Sequence, residues 1–160
     1  MSRLIIVLMG LGLFAMACNN DASQDKTTDR KDGFTPVLKN KEDSLYHDVM
    51  QGHDAGMARV GKLGGNIKET QRRLDSLSKL PAKQVNAAYK QSLIDLQASL
   101  NKANTEMFDW MKGFKVDTLT ENKELRIKYL EDEKAKVTVV KDMIFSALNQ
   151  ADSLLKTNGQ

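Results

Sequence analysis

Three long segments of this chain place apolar residues at alternating steps of three and four, and this spacing limits the fold more than any other feature. The first series consists of Tyr46, Met50, His53, Met57, Val60, Gly64, Ile67, Gln71 and Leu74. The second consists of Tyr89, Leu93, Leu96, Leu100, Ala103, Met107, Trp110 and Phe114. The third consists of Leu130, Glu133, Val137, Val140, Ile144, Ala147, Ala151 and Leu154, and only the charged Glu133 interrupts it. Such steps follow the turn of an α-helix and are typical of seams between long packed helices.

The spacing therefore predicts an all-α fold, an antiparallel up-down-up bundle of three long helices with coiled-coil-like packing. Pro81 is expected in the first turn of the second helix, where its missing N–H costs little. Gly113 is expected to end that helix in a left-handed cap, and Thr118-x-x-Glu121 matches a capping box that opens the third. The bundle domain is expected over residues 40–160, with helices over about 41–79, 82–112 and 119–157.

The first helix is unusually rich in glycine. Its five glycines are Gly52, Gly56, Gly61, Gly64 and Gly65. Each costs up to about 1 kcal/mol relative to alanine inside a helix. We expect one helix that is kinked or packed closely against a neighbour. A break at Gly64-Gly65, which would give four helices, is the alternative.

The first eighteen residues have the pattern of an export signal. Arg3 precedes an apolar run of about 14 residues, too short for an ordinary membrane-spanning helix. The run ends in Ala15-Met16-Ala17-Cys18, which resembles the lipobox of bacterial lipoproteins. Residues 1–17 are therefore predicted to be a lipoprotein signal peptide, and Cys18 the lipidated first residue. A plain signal peptide or a retained membrane anchor is the alternative.

Residues 18–39 are predicted to form the lipidated start and a flexible polar tether, because they carry charges of both signs without apolar periodicity. Asn19 follows the cysteine, where Asp would favour retention in the inner membrane of many Gram-negative bacteria. By that resemblance the protein is expected in the cell envelope as an outer-membrane lipoprotein. The pattern leaves open whether it faces the periplasm or the cell surface.

Composition excludes several functional classes. The charge of +3 is too balanced for a nucleic-acid-binding surface, and one cysteine excludes a disulfide framework or a thiolate zinc site. The sequence has no phosphate-binding glycine loop after a strand, no Ser-x-Gly nucleophile elbow and no HExxH metalloprotease motif. We therefore expect a protein that is not an enzyme and has no nucleic-acid partner.

Two motifs in different helices carry a family resemblance. The most specific parts are His53-Asp54-x-x-Met57 and Asp109-Trp110-Met111. Together they resemble a group of uncharacterised short helical lipoproteins of Bacteroidota-type bacteria, often labelled "viral A-type inclusion protein". The resemblance extends over about residues 41–157 and implies a helical lipoprotein, but it brings no assigned activity. This chain departs from the group in the glycine content of its first helix.

The same two motifs should meet in an antiparallel bundle and form a group of soft side chains. The candidate metal ligands are Met50, His53, Met57, Met107 and Met111, with Trp110 packed beside them. Thioether and imidazole ligands suit Cu(I), so copper is the cofactor to consider, and a haem held by His53 and a methionine is a more distant alternative. Ordinary core packing, with His53 bonded to a carboxylate such as Asp109, is the leading interpretation because methionine fills irregular cores well. No cofactor is expected on that interpretation.

The sequence thus favours a membrane-anchored cell-envelope lipoprotein that acts as a non-enzymatic helical scaffold or protein-interaction module. Its expected partners are the membrane, through the N-terminal lipid, and an envelope protein or a second copy of the chain. A periplasmic or surface copper-binding protein is the alternative. An escort for lipidic cargo would need an apolar cleft, for which the glycine-rich segment is the one place offered.

Overall fold

The computed structural model describes residues 38–157 and confirms the three-helix bundle. Helix α1 covers Lys41–Ser78, α2 covers Ala87–Gly113 and α3 covers Lys123–Thr157, and a short 3-10 turn at Ala82–Gln84 precedes α2. Each helix packs against both others, and no strand occurs in this part of the chain. None of these helices is long and apolar enough to cross a membrane. The signal peptide, Cys18 and most of the predicted tether lie outside the described residues.

Side-chain contacts fix the directions of the helices. The contacts of α1 with α2 pair Tyr46 with Phe114 and His53 with Trp110, so these two helices are antiparallel. The ion pairs of α1 with α3 join Asp48 to Lys134 and Lys62 to Asp152, so these two are parallel. Helix α1 is continuous through Gly64-Gly65, and the four-helix alternative is therefore wrong. The bundle has its own closed hydrophobic core, built entirely from residues of these three helices.

All three helices begin at an asparagine. The side-chain oxygens of Asn40, Asn86 and Asn122 accept hydrogen bonds from the backbone N–H three residues later, at 3.0, 3.0 and 3.1 Å. Such caps satisfy one of the free N–H groups of the first turn. They explain why α2 and α3 start several residues after the predicted positions.

Three local predictions around these starts and ends are therefore wrong. Pro81 precedes the 3-10 turn and lies outside α2, and the Thr118-x-x-Glu121 segment precedes α3 without capping it. Gly113 is the last residue of α2, and Phe114 leaves the helix in an extended conformation, so no left-handed cap forms. Among non-glycine residues in the described part, only Leu119 has a positive φ.

The residues of α1 that face the core come one position earlier in the sequence than predicted. Its buried residues are Leu45, Val49, Gly56, Leu63 and Thr70, whereas the predicted Tyr46, Met50, Met57 and Gly64 are half-buried. One residue corresponds to about 100° of rotation around a helix. In α2 and α3, by contrast, nearly all members of the predicted series are buried. The core positions of α2 and α3 were thus predicted correctly. Helix α1 is rotated about its own axis relative to the predicted orientation.

Two glycines explain the rotation, because neighbouring side chains occupy the space beside them. A Cβ at Gly56 would overlap Cε of Met107 and lie 3.3 Å from Cδ1 of Ile144, and a Cβ at Gly52 would lie 3.0 Å from Cγ1 of Val137. Close packing therefore accounts for these two glycines. A Cβ at Gly61, Gly64 or Gly65 would meet nothing within 4 Å. We find no packing reason for these three.

At each end of the bundle, one arginine connects its own helix to two other segments of the chain. Arg73 of α1 forms an ion pair with Glu69 at 2.8 Å and donates hydrogen bonds to the hydroxyl of Tyr89, at the start of α2, and to the carbonyl of Leu155, at the end of α3. At the other end, the buried guanidinium of Arg126 bonds Glu42 of α1 at 3.2 Å and the carbonyl of Thr118, in the α2–α3 connection, at 3.1 Å. Each arginine ties three segments together through side-chain donors alone.

The glycines give a prediction in which one substitution has opposite effects at two sites. Gly56→Leu should lower the free energy of unfolding by about 1–3 kcal/mol, because Met107 and Ile144 already fill the space. Gly65→Leu should raise it by about 0.5–1 kcal/mol, since leucine is a better helix former and the position is open. Urea denaturation followed by circular dichroism measures both. A loss of stability at Gly65 equal to that at Gly56 would contradict the assignment of the close contact.

The Arg73 end should be sensitive to acid. Hydrogen bonds from Arg72 and Arg73 lower the pKa of Glu69 from 4.5 to about 2. Because the folded pKa lies below the unfolded value, this contribution is present above pH 4.5 and is lost as the pH falls towards 2. Glu69→Gln should cost less than about 1 kcal/mol near pH 7, since the carboxylate is partly exposed, and the difference from wild type should vanish near pH 2.

Thermal unfolding at several pH values tests this prediction. Glu106→Gln is the matched control, because Glu106 is exposed and makes no ion pair within residues 38–157. It should leave the melting temperature near that of wild type at pH 7. A Glu69→Gln deficit that stays constant from pH 7 to pH 2 would be incompatible with the proposed ion pair.

Candidate functional site

The structure distributes the predicted metal ligands between the core and the surface. Met107 is fully buried, whereas Met111 is 39% exposed. Met50, His53 and Met57 are half-buried on α1, where the rotation of the helix moves them from the centre of the seam to its border. Trp110 is buried and its ring lies 5.8 Å from the imidazole of His53, so these two predicted neighbours do meet.

His53 has a carboxylate partner, although not the expected one. Its Nδ1 lies 2.8 Å from Oδ1 of Asp54, the next residue, and not beside Asp109. Asp109 instead pairs with Lys112. Within residues 38–157, no three side chains of the His, Cys, Asp or Glu type come close enough to hold a metal ion together. The copper alternative, which relies on methionine, stays a prediction.

The aromatic side chains converge where α2 ends and where α1 and α3 begin. Phe114 is at the centre, with ring centroids 5.1 Å from Trp110, 6.1 Å from Tyr129 and 6.5 Å from Tyr46. We call these four residues the aromatic cluster. All three ring pairs are stacked, an arrangement that stabilises beyond the burial of area. The cluster joins all three helices at this end of the bundle.

Tyr129 is the member of the cluster that the sequence did not reveal. It lies next to Leu130 and outside the predicted series of α3. Its hydroxyl accepts a hydrogen bond of 2.7 Å from the backbone N–H of Lys115, in the connection that follows α2. The guanidinium of Arg126 lies 5.8 Å from the Tyr129 ring, within cation–π distance. The cluster is therefore continuous with the arginine that closes this end.

A buried carboxylate completes the site. The indole N–H of Trp110 donates a hydrogen bond of 2.8 Å to Oε2 of Glu133, which is only 5% exposed. The other oxygen of Glu133 lies 2.7 Å from the ammonium of Lys136, and this contact raises the pKa of Lys136. Glu133 is the charged residue that interrupts the apolar series of α3. That interruption was the available signal, but it did not reveal the partner.

The polar groups of this site bond one another and connect the helices of the bundle. Both oxygens of Glu133 and the donors of Trp110 and Arg126 are engaged within the bundle. A buried charge that is paired and hydrogen-bonded holds neighbouring elements in register. The aromatic cluster and Glu133 thus orient the three helices relative to one another.

Open depressions on the surface of residues 38–157 include two that lie away from this site. A groove of about 560 Å³ runs along the connection between α1 and α2, and its apolar lining includes Leu77, Leu80, Val85 and Ile94. A smaller one of about 170 Å³ lies between α2 and α3, beside Ser99 and Lys102. The larger groove is the better candidate for a binding surface, because it is broader and mostly apolar.

Comparisons of the chain with known protein families, with curated proteins and with solved structures gave no match.

The Trp110–Glu133 contact predicts a non-additive pair of substitutions. Trp110→Phe leaves an oxygen of Glu133 without its donor, and Glu133→Leu leaves the indole N–H without its acceptor. Each should lower the free energy of unfolding by about 1–3 kcal/mol, because a buried polar group loses its partner. The double variant should cost clearly less than the sum of the two, since neither group remains unpaired.

Denaturant titrations of wild type, both single variants and the double variant complete the cycle, monitored by far-ultraviolet circular dichroism. Trp110 is the only tryptophan, so the fluorescence of Glu133→Leu also reports on its environment directly. Strictly additive losses would show that the two side chains do not interact.

Proposed function

We propose that this chain is a cell-envelope lipoprotein, anchored in the outer membrane by a lipid on Cys18, whose helical bundle is a non-enzymatic scaffold or protein-interaction module. The observation that carries the proposal is how the bundle uses its interior polar groups. The buried charged residues Arg126 and Glu133 bond other segments of the bundle, whereas the hydroxyl of Thr70 donates a hydrogen bond to the carbonyl of Asn66 in its own helix. The two charged groups join helices, which favours a mechanical or docking role over chemistry.

The position of the bundle along the chain supports the anchoring half of the proposal. Helix α1 begins at Lys41, 23 residues after Cys18 (41 − 18), and a segment of this length spans at most about 80 Å when fully extended. Helix α1 begins at the end of the bundle that carries the aromatic cluster. The exposed surface of the bundle includes the groove along the connection between α1 and α2.

Copper binding remains the alternative function, and the methionine positions favour packing over it. Met107 fills the space beside Gly56 in the core, and Met111 is on the surface. A Cu(I) site on this face would depend on His53 with Met50 or Met57, all on α1. The position of Met107 agrees with the ordinary role of methionine, which is to fill irregular gaps in a core, and Met111 is too exposed to share a buried site with it.

The anchoring is tested by expressing the full chain in a Gram-negative host with radiolabelled palmitate. Wild type should take up label and sediment with the outer membrane, because acyl chains supply the membrane affinity. Cys18→Ser should take up no label and be released from the membrane fraction. A Cys18→Ser chain that stays in the membrane would contradict the proposal.

Asn19→Asp is the matched variant for the sorting step. It changes the residue after the lipidated cysteine and leaves the cysteine itself in place. The variant should still take up palmitate but sediment with the inner membrane. If wild type and Asn19→Asp both sediment with the inner membrane, the assignment to the outer membrane is wrong while lipidation stands.

A further inference from the structure

The outer face of α2 carries an uncharged stripe. It consists of Gln91, Ile94, Ala98, Asn101, Thr105 and Phe108, all of them exposed. Ile94 and Phe108 are large apolar side chains, 43% and 39% exposed. The six residues recur at steps of three and four, the spacing that the buried seams of the same bundle use. The stripe therefore has the pattern of a second helix-packing seam that is without a neighbour in the described part of the chain.

The two ends of the stripe have complementary shapes. At its first end, Gln91 and Ile94 line the groove of about 560 Å³, together with Leu80 and Val85 from the preceding connection. At its other end, Phe108 projects from the surface of α2. The distance along the helix from Gln91 to Phe108 is about 25 Å at 1.5 Å per residue. One end of the stripe thus offers an open groove with a partly apolar lining, and the other end offers an apolar side chain.

We propose that a second copy of this chain packs on this stripe, antiparallel to the first and related to it by a two-fold axis. The axis passes between Ala98 and Asn101, so that each Phe108 reaches the groove of the partner subunit. A two-fold interface uses the same patch on both chains, which therefore has to be complementary to itself. A parallel arrangement would instead bring groove to groove and Phe108 to Phe108.

The charges beside the stripe agree with this arrangement. Asp95 directly follows Ile94, and Lys102 directly follows Asn101. The two charged residues therefore lie on the same flank of the stripe. In an antiparallel pair, positions on the same flank face each other, so Asp95 lies across from Lys102 of the partner subunit. The two-fold axis repeats this contact. Lys102 makes no ion pair within residues 38–157, and the Asp95 carboxylate accepts one hydrogen bond of 2.9 Å, from the side chain of Gln91.

This inference names a partner for the proposed interaction module and rests on that part of the proposed function. It does not depend on the lipid, so its test uses residues 19–160, which contain the complete bundle and lack Cys18. Failure of the dimer would therefore leave the palmitate and fractionation results unaffected.

Sedimentation equilibrium over a concentration series measures the association. Wild type should show a reversible monomer–dimer equilibrium with a dissociation constant in roughly the micromolar to millimolar range, because only Ile94 and Phe108 contribute large apolar side chains to the stripe. Phe108→Ala should raise the dissociation constant by about tenfold or more, because the groove loses the side chain that fills it.

Phe145→Ala is the matched control for this experiment. Phe145 is 37% exposed, almost the same as Phe108, but it lies on α3 beside Arg59. Its substitution should leave the dissociation constant unchanged. A wild-type chain that stays monomeric throughout, or a dimer that both substitutions affect equally, would overturn the proposal.

Disulfide trapping tests the direction of packing. Ala98→Cys and Asn101→Cys each introduce the sole thiol of the 19–160 chain. The antiparallel register predicts that oxidation of a mixture gives mainly the mixed disulfide, because position 98 faces position 101 of the partner subunit. Disulfides that form mainly between identical variants would show a parallel pair and overturn the two-fold arrangement.

Discussion

The bundle depends on one close contact, the point at which Met107 of α2 and Ile144 of α3 converge on Gly56 of α1. Because Gly56 has no side chain, both neighbours reach the backbone of α1 there, and all three helices meet without an intervening gap. The contact at Gly52 with Val137, one turn earlier, fixes the same face. With this face buried, Leu45, Val49 and Leu63 follow it into the core. The rotation of α1, and with it the half-exposure of Met50, His53 and Met57, follows from a residue that contributes no apolar surface of its own.

The polar contacts act on the geometry that this contact sets. Arg73 and Arg126 lie at opposite ends of the bundle, and each joins its own helix to two other segments of the chain. Glu133 works near the second of these ends, where it holds the indole of Trp110 in the aromatic cluster. Such groups gain little net stability over apolar ones, since burying charge is costly. Their bonds between segments are made in this one alignment of the helices, whereas a purely apolar seam has no such specific contacts.

The sequence predicts correctly those features of the fold that depend on a repeated local spacing of apolar residues. The number of helices and the cores of α2 and α3 follow from the 3–4 spacing, because leucine, valine and isoleucine mark the buried positions there. In α1 the same reasoning selected Tyr46, Met50 and Met57, since hydrophobicity ranks methionine above glycine. Whether a glycine is buried depends on what another helix brings to it, and that is not encoded in its own neighbours. The same limit applies to the site: the charge at Glu133 was visible, but its bond to Trp110 crosses between helices. The start of α3 was missed because Thr118 and Asn122 both offer caps and only the connection's geometry decides.

The unbroken course of α1 through Gly64-Gly65 sets the number of passes along the bundle at three, an odd number. The chain therefore enters the bundle at residue 38 at one end and reaches residue 157 at the other, separated by about 50 Å along α3. A bundle of four helices would have returned the chain to its starting end. With three helices, the start of α1 and the end of α3 lie at opposite ends of the bundle. The two ends of the bundle are therefore different: α1 begins at one of them, and α3 ends at the other.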